Sequence, residues 1–283
     1  MNTIIFAEEW AVKAQERLAE NNKWKEICKV EYTDTRVLHN PYITDPTVQT
    51  LTRDTAYTHQ AVVITDDSIT ISTGKILPQQ IDRADLAQQT FVKQMELASN
   101  QAVLLNEAIE TAMLAEHAQW TNFDNASIGG AAGNITVSES NIDDIIRGIK
   151  REIREANGEA LMDRNGVFIV WRPADFEKLE AYAQAQGFST ADGALKDGTS
   201  QGFKYMGVEH YSSNKIAAGH LFGGVKKVFH VGIVKSTYGQ VVVDSEPATA
   251  DGALSAVAVI MRVDFAFKAW NKTVPVLFDI LVA

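Results

Sequence analysis

The sequence predicts a mixed α+β fold, in which helices and strands occupy separate stretches of the chain. The first observation is a helical pattern of unusual length between Asp82 and Gln119. The second is a strict alternation of apolar residues from Val257 to Ala269, which is typical of a half-buried β-strand. The third is a set of shorter helices and strands between these two elements. Together they predict a helix-and-sheet body with extended segments attached to it.

The long helical pattern spans residues 82–119 without a proline or glycine. Its apolar or small residues recur every three or four positions, at Ala84, Ala87, Phe91, Met95, Ala98, Ala102, Leu105, Ile109 and Ala112. Asp82 is the predicted N-cap. At about 1.5 Å per residue the helix would be about 55 Å long. This length favours the spine of a flat, extended subunit, although the core helix of a globular enzyme has the same periodicity.

Composition limits the classes of function. The chain has 283 residues and a net charge of -10, which disfavours binding of nucleic acid through a basic surface. No apolar run approaches the length needed to cross a bilayer, and the first residues lack the basic stretch of a secretory signal. A single cysteine, Cys28, excludes an internal disulfide, and we expect it to be an inert buried thiol.

The N-terminal half predicts two extended segments. Residues 1–46 are interpreted as an arm whose large side chains, among them Trp10 and Trp24, pack on another surface. Residues 47–80 predict a long threonine-rich hairpin, in which the β-branched runs 61–64 and 69–72 are joined by a turn at 65–68. Such a ribbon has too few large apolar side chains to be stable alone, so we expect it to lie against a partner.

The second half predicts a compact unit. A helix with a stripe of Ile142, Ile145, Ile149 and Ile153 is capped at residues 140–141 and ends at 157–158. The apolar run 166–171 predicts a buried strand, and Pro173 opens a further helix. Strands follow at 225–234 and 241–244. The final run, 274–282, alternates like the strand 257–269, and we expect the two to pair antiparallel.

No motif of catalysis or cofactor binding is present. His210, His220 and His230 are spaced by ten residues, which does not match the spacing of metal ligands. The glycines at 129–133 are not followed by the lysine and hydroxyl residue of a phosphate-binding loop. The pair Asp66 and Asp67 is interpreted as part of a turn. The sequence therefore predicts no catalytic, cofactor-binding or metal-ligating residues, and no enzyme.

The order of these elements resembles that of tailed-bacteriophage major capsid proteins with the Hong Kong phage-type fold. The resemblance rests on the arm, the threonine-rich hairpin, the segment Ile81–Gln89 that opens the spine helix, and the segment Phe168–Pro173. The glycine-rich stretches at 193–198 and 207–209 and the strands beginning at Val257 and Val274 also fit. The resemblance covers nearly the whole chain but includes no single diagnostic motif.

The resemblance implies a division into an N-terminal arm (1–46), an extended hairpin loop (47–80), a spine helix with the first part of a peripheral domain (81–140), an axial domain (141–245) and return strands of the peripheral domain (246–283). It implies a structural protein that self-assembles through hexamers and pentamers into an icosahedral head in the virion, after synthesis in the host cytoplasm. The expected inter-subunit contacts are Trp10, Trp24, Ile64, Asp66, Asp67, Ile69 and Lys75.

The same resemblance implies a separate scaffolding protein, or prior removal of a scaffolding segment, and a portal. The shell would enclose DNA without binding it specifically, and no membrane is involved. One alternative is the shell of an encapsulin-type bacterial compartment, which shares the fold but packages proteins. Another, from a different class, is an α+β enzyme with dispersed catalytic residues. An enzyme would be a monomer or small oligomer with the hairpin folded on its own body.

Overall fold

The computed structural model describes residues 22–82, 93–185, 204–238, 241–244 and 256–283. It confirms the α+β class. The strands in chain order are β1 (Lys29–Thr33), β2 (Val37–His39), β3 (Tyr42–Ile43), β4 (Ile64–Thr65), β5 (Ser68–Thr70), β6 (Thr73–Asp82), β7 (Thr121–Phe123), β8 (Val167–Trp171), β9 (Lys204–Tyr205), β10 (Val208–Ser212), β11 (His220–Val225), β12 (Phe229–Val234), β13 (Val241–Asp244), β14 (Ala256–Ala269) and β15 (Leu277–Leu281). The α-helices are Trp24–Ile27, Lys93–Leu114, Ile142–Glu155, Glu159–Asn165 and Pro173–Ala185.

The first sheet is built around β14, the strand with the clearest alternation in the sequence. β14 pairs antiparallel with β6 over ten residues, with β13 and with β12, and β12 pairs parallel with β1. Val263, Phe265 and Phe267 of β14 are buried, as the period-two pattern predicts. The long ladder with β6 pairs the backbone groups along one side of β14 from residue 256 to residue 265.

The central helix, Lys93–Leu114, packs against β14 and β6 of this sheet. Its buried side chains include Leu105, Ile109 and Met113, which recur at four-residue steps. Gln101 is also buried and donates a hydrogen bond to the carbonyl oxygen of Leu77 in β6 at 3.3 Å. The helix is therefore fixed to the sheet by both apolar and polar contacts.

The second sheet has six strands in the order β7, β15, β11, β8, β10, β9. All five residues of β8 are buried, in agreement with its continuous apolar run. β8 pairs parallel with β10 and antiparallel with β11, and β11 pairs antiparallel with β15. β15 completes the sheet by pairing parallel with β7. The sheet thus joins segments from four distant parts of the chain.

The isoleucine helix, Ile142–Glu155, packs against β11 of the second sheet. Its predicted stripe is confirmed, since Ile142, Ile145, Ile149 and Ile153 are all fully buried. Asp143 and Asp144 lie in its first turn, where the helix dipole favours negative charge. The helix beginning at Pro173 is also confirmed through Ala185.

One hydrophobic cluster runs through both sheets. Aromatic side chains form the junction between them: the ring of Phe222 in β11 stacks on Trp120 at 3.5 Å between centroids and lies 5.8 Å from Phe229 in β12. Trp120 also meets Phe229 edge to face at 5.9 Å. Such aromatic pairs add to the free energy gained by burial alone.

Several predicted elements differ from the structure. The spine helix was predicted over 82–119, but Asp82 ends β6 and is not an N-cap, and the α-helix ends at Leu114 before a short 3-10 turn at His117–Gln119. Residues 83–92 lie outside the described residues. The last two strands do not form a hairpin, because Val274–Val276 is a 3-10 turn and β15 leaves β14 for the second sheet. The run 225–234 is two strands, β11 and β12, separated by a turn.

The predicted arm and hairpin also need correction. Residues 24–33 do not extend from the body: Trp24 and Ile27 are core residues and β1 is part of the first sheet. The runs 61–64 and 69–72 do not pair with each other. β4 pairs with β3 and β5 pairs with β2, so the ribbon folds back on residues 37–43 instead. The division of the chain into peripheral and axial domains stays a prediction.

Within the part of the chain that the structure describes, no helix combines the length and apolarity required to span a bilayer.

Candidate subunit interface

The extended loop, residues 37–71, is a two-stranded ribbon that projects from the first sheet. Two short antiparallel ladders form its sides: Val37–His39 pairs with Ser68–Thr70, and Tyr42–Ile43 pairs with Ile64–Thr65. Every residue from 43 to 64 is exposed. The outer part of the loop therefore lacks the packing that stabilises the body. A two-stranded ribbon without such packing is only marginally stable in water.

The base of the loop is fixed by a small apolar cluster. Ile69 and Ile71 are buried together with Val234 of β12 and Trp270, which follows β14. Leu38 packs on the same cluster. The backbone N–H of Ile71 donates to the carbonyl oxygen of Arg36 at 2.7 Å, which closes the ribbon where it leaves the body. These contacts fix the position of the loop base on the first sheet.

Asp67 supplies the polar part of this attachment. Its side chain is buried, accepts a hydrogen bond from the backbone N–H of Asn271 at 2.9 Å and forms an ion pair with Lys268 at 3.4 Å. Its carbonyl oxygen accepts from the N–H of Asn40 at 2.7 Å. Two strands of the ribbon and the end of β14 thus meet at a single aspartate. A buried carboxylate with these partners is satisfied rather than strained.

Two glutamines replace the backbone ladder in the outer part of the loop. The side-chain amide of Gln49 donates to the carbonyl oxygen of Thr58 at 2.7 Å, and its oxygen accepts from the N–H of Thr58 at 3.1 Å. Gln60 makes the equivalent pair with Thr47, at 3.0 and 2.8 Å. These bonds hold the two sides of the loop together between Pro46 and the tip, where no regular strand pairing occurs.

The outer loop, residues 43–64, exposes large apolar side chains. Their exposed fractions run from 54% to 95%, in Ile43, Val48, Leu51, Tyr57, Val62, Val63 and Ile64. Single exposed apolar residues are ordinary, but a concentration of them on one projecting segment marks an interaction surface. No described part of the same chain covers these side chains. The arrangement offers a contact surface to another molecule.

The predicted contact residues fall into three groups. Ile64 is 67% exposed, Asp66 is exposed beside His39 at 2.8 Å, and Lys75 is exposed on β6, so these three are accessible. Trp24, Asp67 and Ile69 are buried within their own chain, which corrects their predicted role as contacts to a neighbour. Trp10 lies outside the described residues.

Three strongly exposed apolar residues were missed by the sequence reasoning. Val48, Leu51 and Tyr57 lie in a stretch without periodicity, between Pro46 and the β-branched run 61–64. A period-based search ignores such isolated residues. The available signal was their occurrence among threonines in a segment that no periodic element could bury.

Two buried ionisable groups of the body, Cys28 and His210, have surroundings that favour their neutral forms. Burial raises the pKa of the Cys28 thiol well above its usual range, and its sulfur contacts that of Met113 at 3.2 Å, in agreement with an inert thiol. Burial lowers the pKa of His210 to about 3. The neutral ring accepts a hydrogen bond from the indole N–H of Trp171 at 3.0 Å.

The sequence matches no protein-family model, and a comparison with curated proteins finds no similar sequence. Solved structures, in contrast, share its fold. A structure from Mycobacterium phage Che8 has 14% identity and a TM-score of 0.67, covering 99% of this chain and 97% of that chain. The capsid of Ralstonia phage GP4 has 8% identity and a TM-score of 0.67, covering 100% and 98%. The mature capsid of bacteriophage PhiM1 has 12% identity and a TM-score of 0.67, covering 99% and 92%. The chain therefore has the fold of phage capsid subunits along nearly its whole length.

Proposed function

We propose that this chain is the major capsid protein of a tailed bacteriophage, a structural subunit that assembles into the icosahedral shell around phage DNA. The observation that carries the proposal is the similarity to phage capsid structures over nearly the full length of both chains. A partial match would be compatible with a shared domain in an unrelated protein. A match that includes body, sheets and connecting segments leaves little of the chain for a different function.

The extended loop gives this proposal a physical basis. Burying a large aliphatic side chain in an interface is worth roughly 1.5–3 kcal/mol, and the outer loop presents several such side chains to solvent. In a shell, a neighbouring copy of the chain provides the surface that covers them. The Hong Kong phage-type arrangement, with the loop lying over an adjacent subunit in hexamers and pentamers, is the form of assembly that we propose.

The remaining parts of the proposal follow from this role. A net charge of -10 suits a wall that encloses DNA without adhering to it. We propose a separate scaffolding protein and a portal as further partners, the virion as the location and the host cytoplasm as the place of synthesis. The protein needs no catalytic residue for this function.

The first test is sedimentation of the purified full chain, with negative-stain imaging of the fastest fraction. We expect closed particles several hundred ångströms across, roughly. DNA content then separates a phage head from a protein-packaging compartment when particles are isolated from infected cells. A sharp species of one to six subunits that persists with crowding agents and the neighbouring gene products would contradict the proposal and favour an enzyme.

A loop variant tests the contact itself. Leu51 is 79% exposed, so Leu51→Asp should leave the far-ultraviolet circular dichroism spectrum and the unfolding midpoint unchanged while it prevents or strongly reduces particle formation. Leu51→Met is the matched control, because it keeps an apolar side chain of similar volume and should assemble normally. Normal assembly of Leu51→Asp would show that the outer loop is not buried in the shell.

A further inference from the structure

Three side chains with metal-binding chemistry converge on one edge of the second sheet. They are His117, His220 and Asp279, and their nitrogen and oxygen ligand atoms all lie within 4.8 Å of one another. His117 belongs to the 3-10 turn after the central helix, His220 begins β11, and Asp279 lies in the middle of β15. The loop interface and the proposed shell function use none of them.

The sheet register brings His220 and Asp279 together. In the antiparallel ladder of β11 and β15, Asp279 lies opposite Phe222, and His220 is two residues away along β11. Since residues two apart point to the same face, His220 and Asp279 are diagonal neighbours there. His117 reaches the same place because its turn leads directly into β7, which pairs with β15 at Asp279. Three separate elements of the body thus fix the three positions.

The geometry shows one carboxylate shared by two imidazoles. Nδ1 of His220 lies 2.8 and 2.9 Å from the two oxygens of Asp279, whereas Nδ1 of His117 lies 3.7 Å from the nearer one. The second distance is too long for a hydrogen bond. The two rings stack at 4.0 Å between centroids with 25° between their planes. The Nδ1 atoms of both histidines therefore lie near the carboxylate of Asp279.

This donor set matches a divalent transition metal. At metal–ligand distances of 2.0–2.2 Å, the donors of a tetrahedral zinc site are separated by about 3.3 Å. The two nitrogen–oxygen separations, 2.8 and 3.7 Å, lie on either side of this value, and all three ligand atoms lie within 4.8 Å of one another, so the cluster is near the size that one ion requires. Two imidazoles and one carboxylate suit Zn²⁺, Co²⁺ or Ni²⁺ rather than Mg²⁺ or Ca²⁺, which prefer oxygen ligands.

Burial suits such a site as well. The side chain of Asp279 is 4% exposed, whereas those of His117 and His220 are 33% and 24% exposed. An ion could therefore enter from solvent and keep a water as its fourth ligand. We propose that His117, His220 and Asp279 form a structural binding site for a divalent transition metal, which ties the turn after the central helix to β11 and β15.

The test uses the purified full chain and ZnCl₂ as the probe. After chelator treatment and dialysis, we expect one equivalent of Zn²⁺ by calorimetry and elemental analysis, and a melting temperature that rises with free Zn²⁺. Co²⁺ in place of Zn²⁺ should give the intense visible absorption of a four-coordinate site. His117→Gln should weaken Zn²⁺ binding by about tenfold or more, since even the loss of an outer partner of a ligand has that effect.

The matched control is His39→Gln. His39 also lies 2.8 Å from an aspartate, Asp66, but among the described residues it belongs to no cluster of three possible metal ligands, so this variant should bind Zn²⁺ like the wild type. His220→Gln provides a second ligand variant, and circular dichroism verifies the fold of each. Zn²⁺ binding that is absent, or that His117→Gln and His220→Gln leave unchanged in the folded protein, would overturn the proposal in favour of an ordinary hydrogen-bonded histidine–aspartate pair. Neither outcome depends on whether the chain forms shells.

Discussion

The backbone N–H of Asn271 donates a hydrogen bond of 2.9 Å to the carboxylate of Asp67, across 204 residues of sequence. This bond joins the returning side of the extended loop to the chain just after β14. The aspartate is 6% exposed, so little solvent competes for it. The orientation of the loop relative to the first sheet therefore depends on a buried polar contact as well as on the apolar cluster at its base.

Replacement of Asp67 by alanine should destabilise the fold. The change leaves the N–H of Asn271 without its acceptor and Lys268 without its partner, and we expect a loss of about 1–3 kcal/mol in the free energy of unfolding. Urea denaturation followed by circular dichroism measures it. Asp66→Ala, at the neighbouring exposed position, should change the free energy by less than about 0.5 kcal/mol. Equal effects of the two variants would contradict the assignment of Asp67 as the anchor.

Ile69 and Ile64 should respond differently to the same change, although both were predicted as contacts to a neighbour. Ile69 is 2% exposed within the apolar cluster at the loop base, so Ile69→Ala should cost roughly 2–5 kcal/mol of subunit stability. Ile64 is 67% exposed, and Ile64→Ala should leave the unfolding curve within about 0.5 kcal/mol of the wild type. Denaturation of the unassembled subunit distinguishes them, and a large effect of Ile64→Ala would mean that the outer loop packs on its own chain.

Gly224 in β11 should not accept a side chain. Its φ is +151°, and an added Cβ would clash with the carbonyl oxygen of Val276 and lie 3.0 Å from the Cα of Leu277, both backbone atoms of the neighbouring segment. Gly224→Ala should lower the melting temperature and destabilise the protein by about 1–3 kcal/mol. Gly232→Ala in β12 is the control, because its Cβ would meet nothing closer than 3.5 Å. Equal melting temperatures for both variants would refute this reading of the strand packing.

His210 should make stability depend on pH in mildly acidic solution. Its pKa is lowered by burial from 6.5 to about 3, so the unfolded chain binds a proton that the folded protein does not. The free energy of unfolding therefore has its full contribution from His210 above pH 6.5 and loses it as the pH falls toward 3. The slope due to this residue is up to about 1.4 kcal/mol per pH unit. Urea unfolding at a series of pH values measures the slope.

The variant His210→Gln should reduce this slope, because glutamine can accept the indole hydrogen bond of Trp171 without titrating. The same substitution at the exposed His59, His59→Gln, is the matched control. An identical pH dependence for wild type and His210→Gln would show that His210 binds its proton equally in the folded and unfolded states, which contradicts the prediction.

Sequence periodicity identified the elements that bury one face on the body. The alternation of Val263, Phe265 and Phe267 predicted β14, and the stripe from Ile142 to Ile153 predicted the isoleucine helix, because in both the side chains of one face enter the core. The same reasoning failed for pairing. Phe278 and Ile280 alternate like the residues of β14, but a period of two does not specify which strand lies alongside.

The candidate interface shows the same limit more clearly. Ile64 and Ile69 belong to similar β-branched runs, yet one is exposed and the other is buried beside Trp270. That difference arises from a fold-back onto residues 37–43, which no local pattern encodes. The convergence of His117, His220 and Asp279 likewise depends on strand register between distant segments. Local sequence therefore predicted the presence of the loop and the helices, but not the partners that give individual side chains their roles.

The position of β15 has a consequence for the order of events during synthesis. Because Leu277–Leu281 lies between β7 and β11, both of these strands lack one neighbour until residue 281 has emerged from the ribosome. During translation the earlier strands of this sheet, including the fully apolar β8, must wait with incomplete pairing, a state in which chaperones bind and unpaired edges associate. Emergence of residues 277–281, rather than of the first two hundred residues, should therefore be the moment at which the subunit becomes resistant to protease.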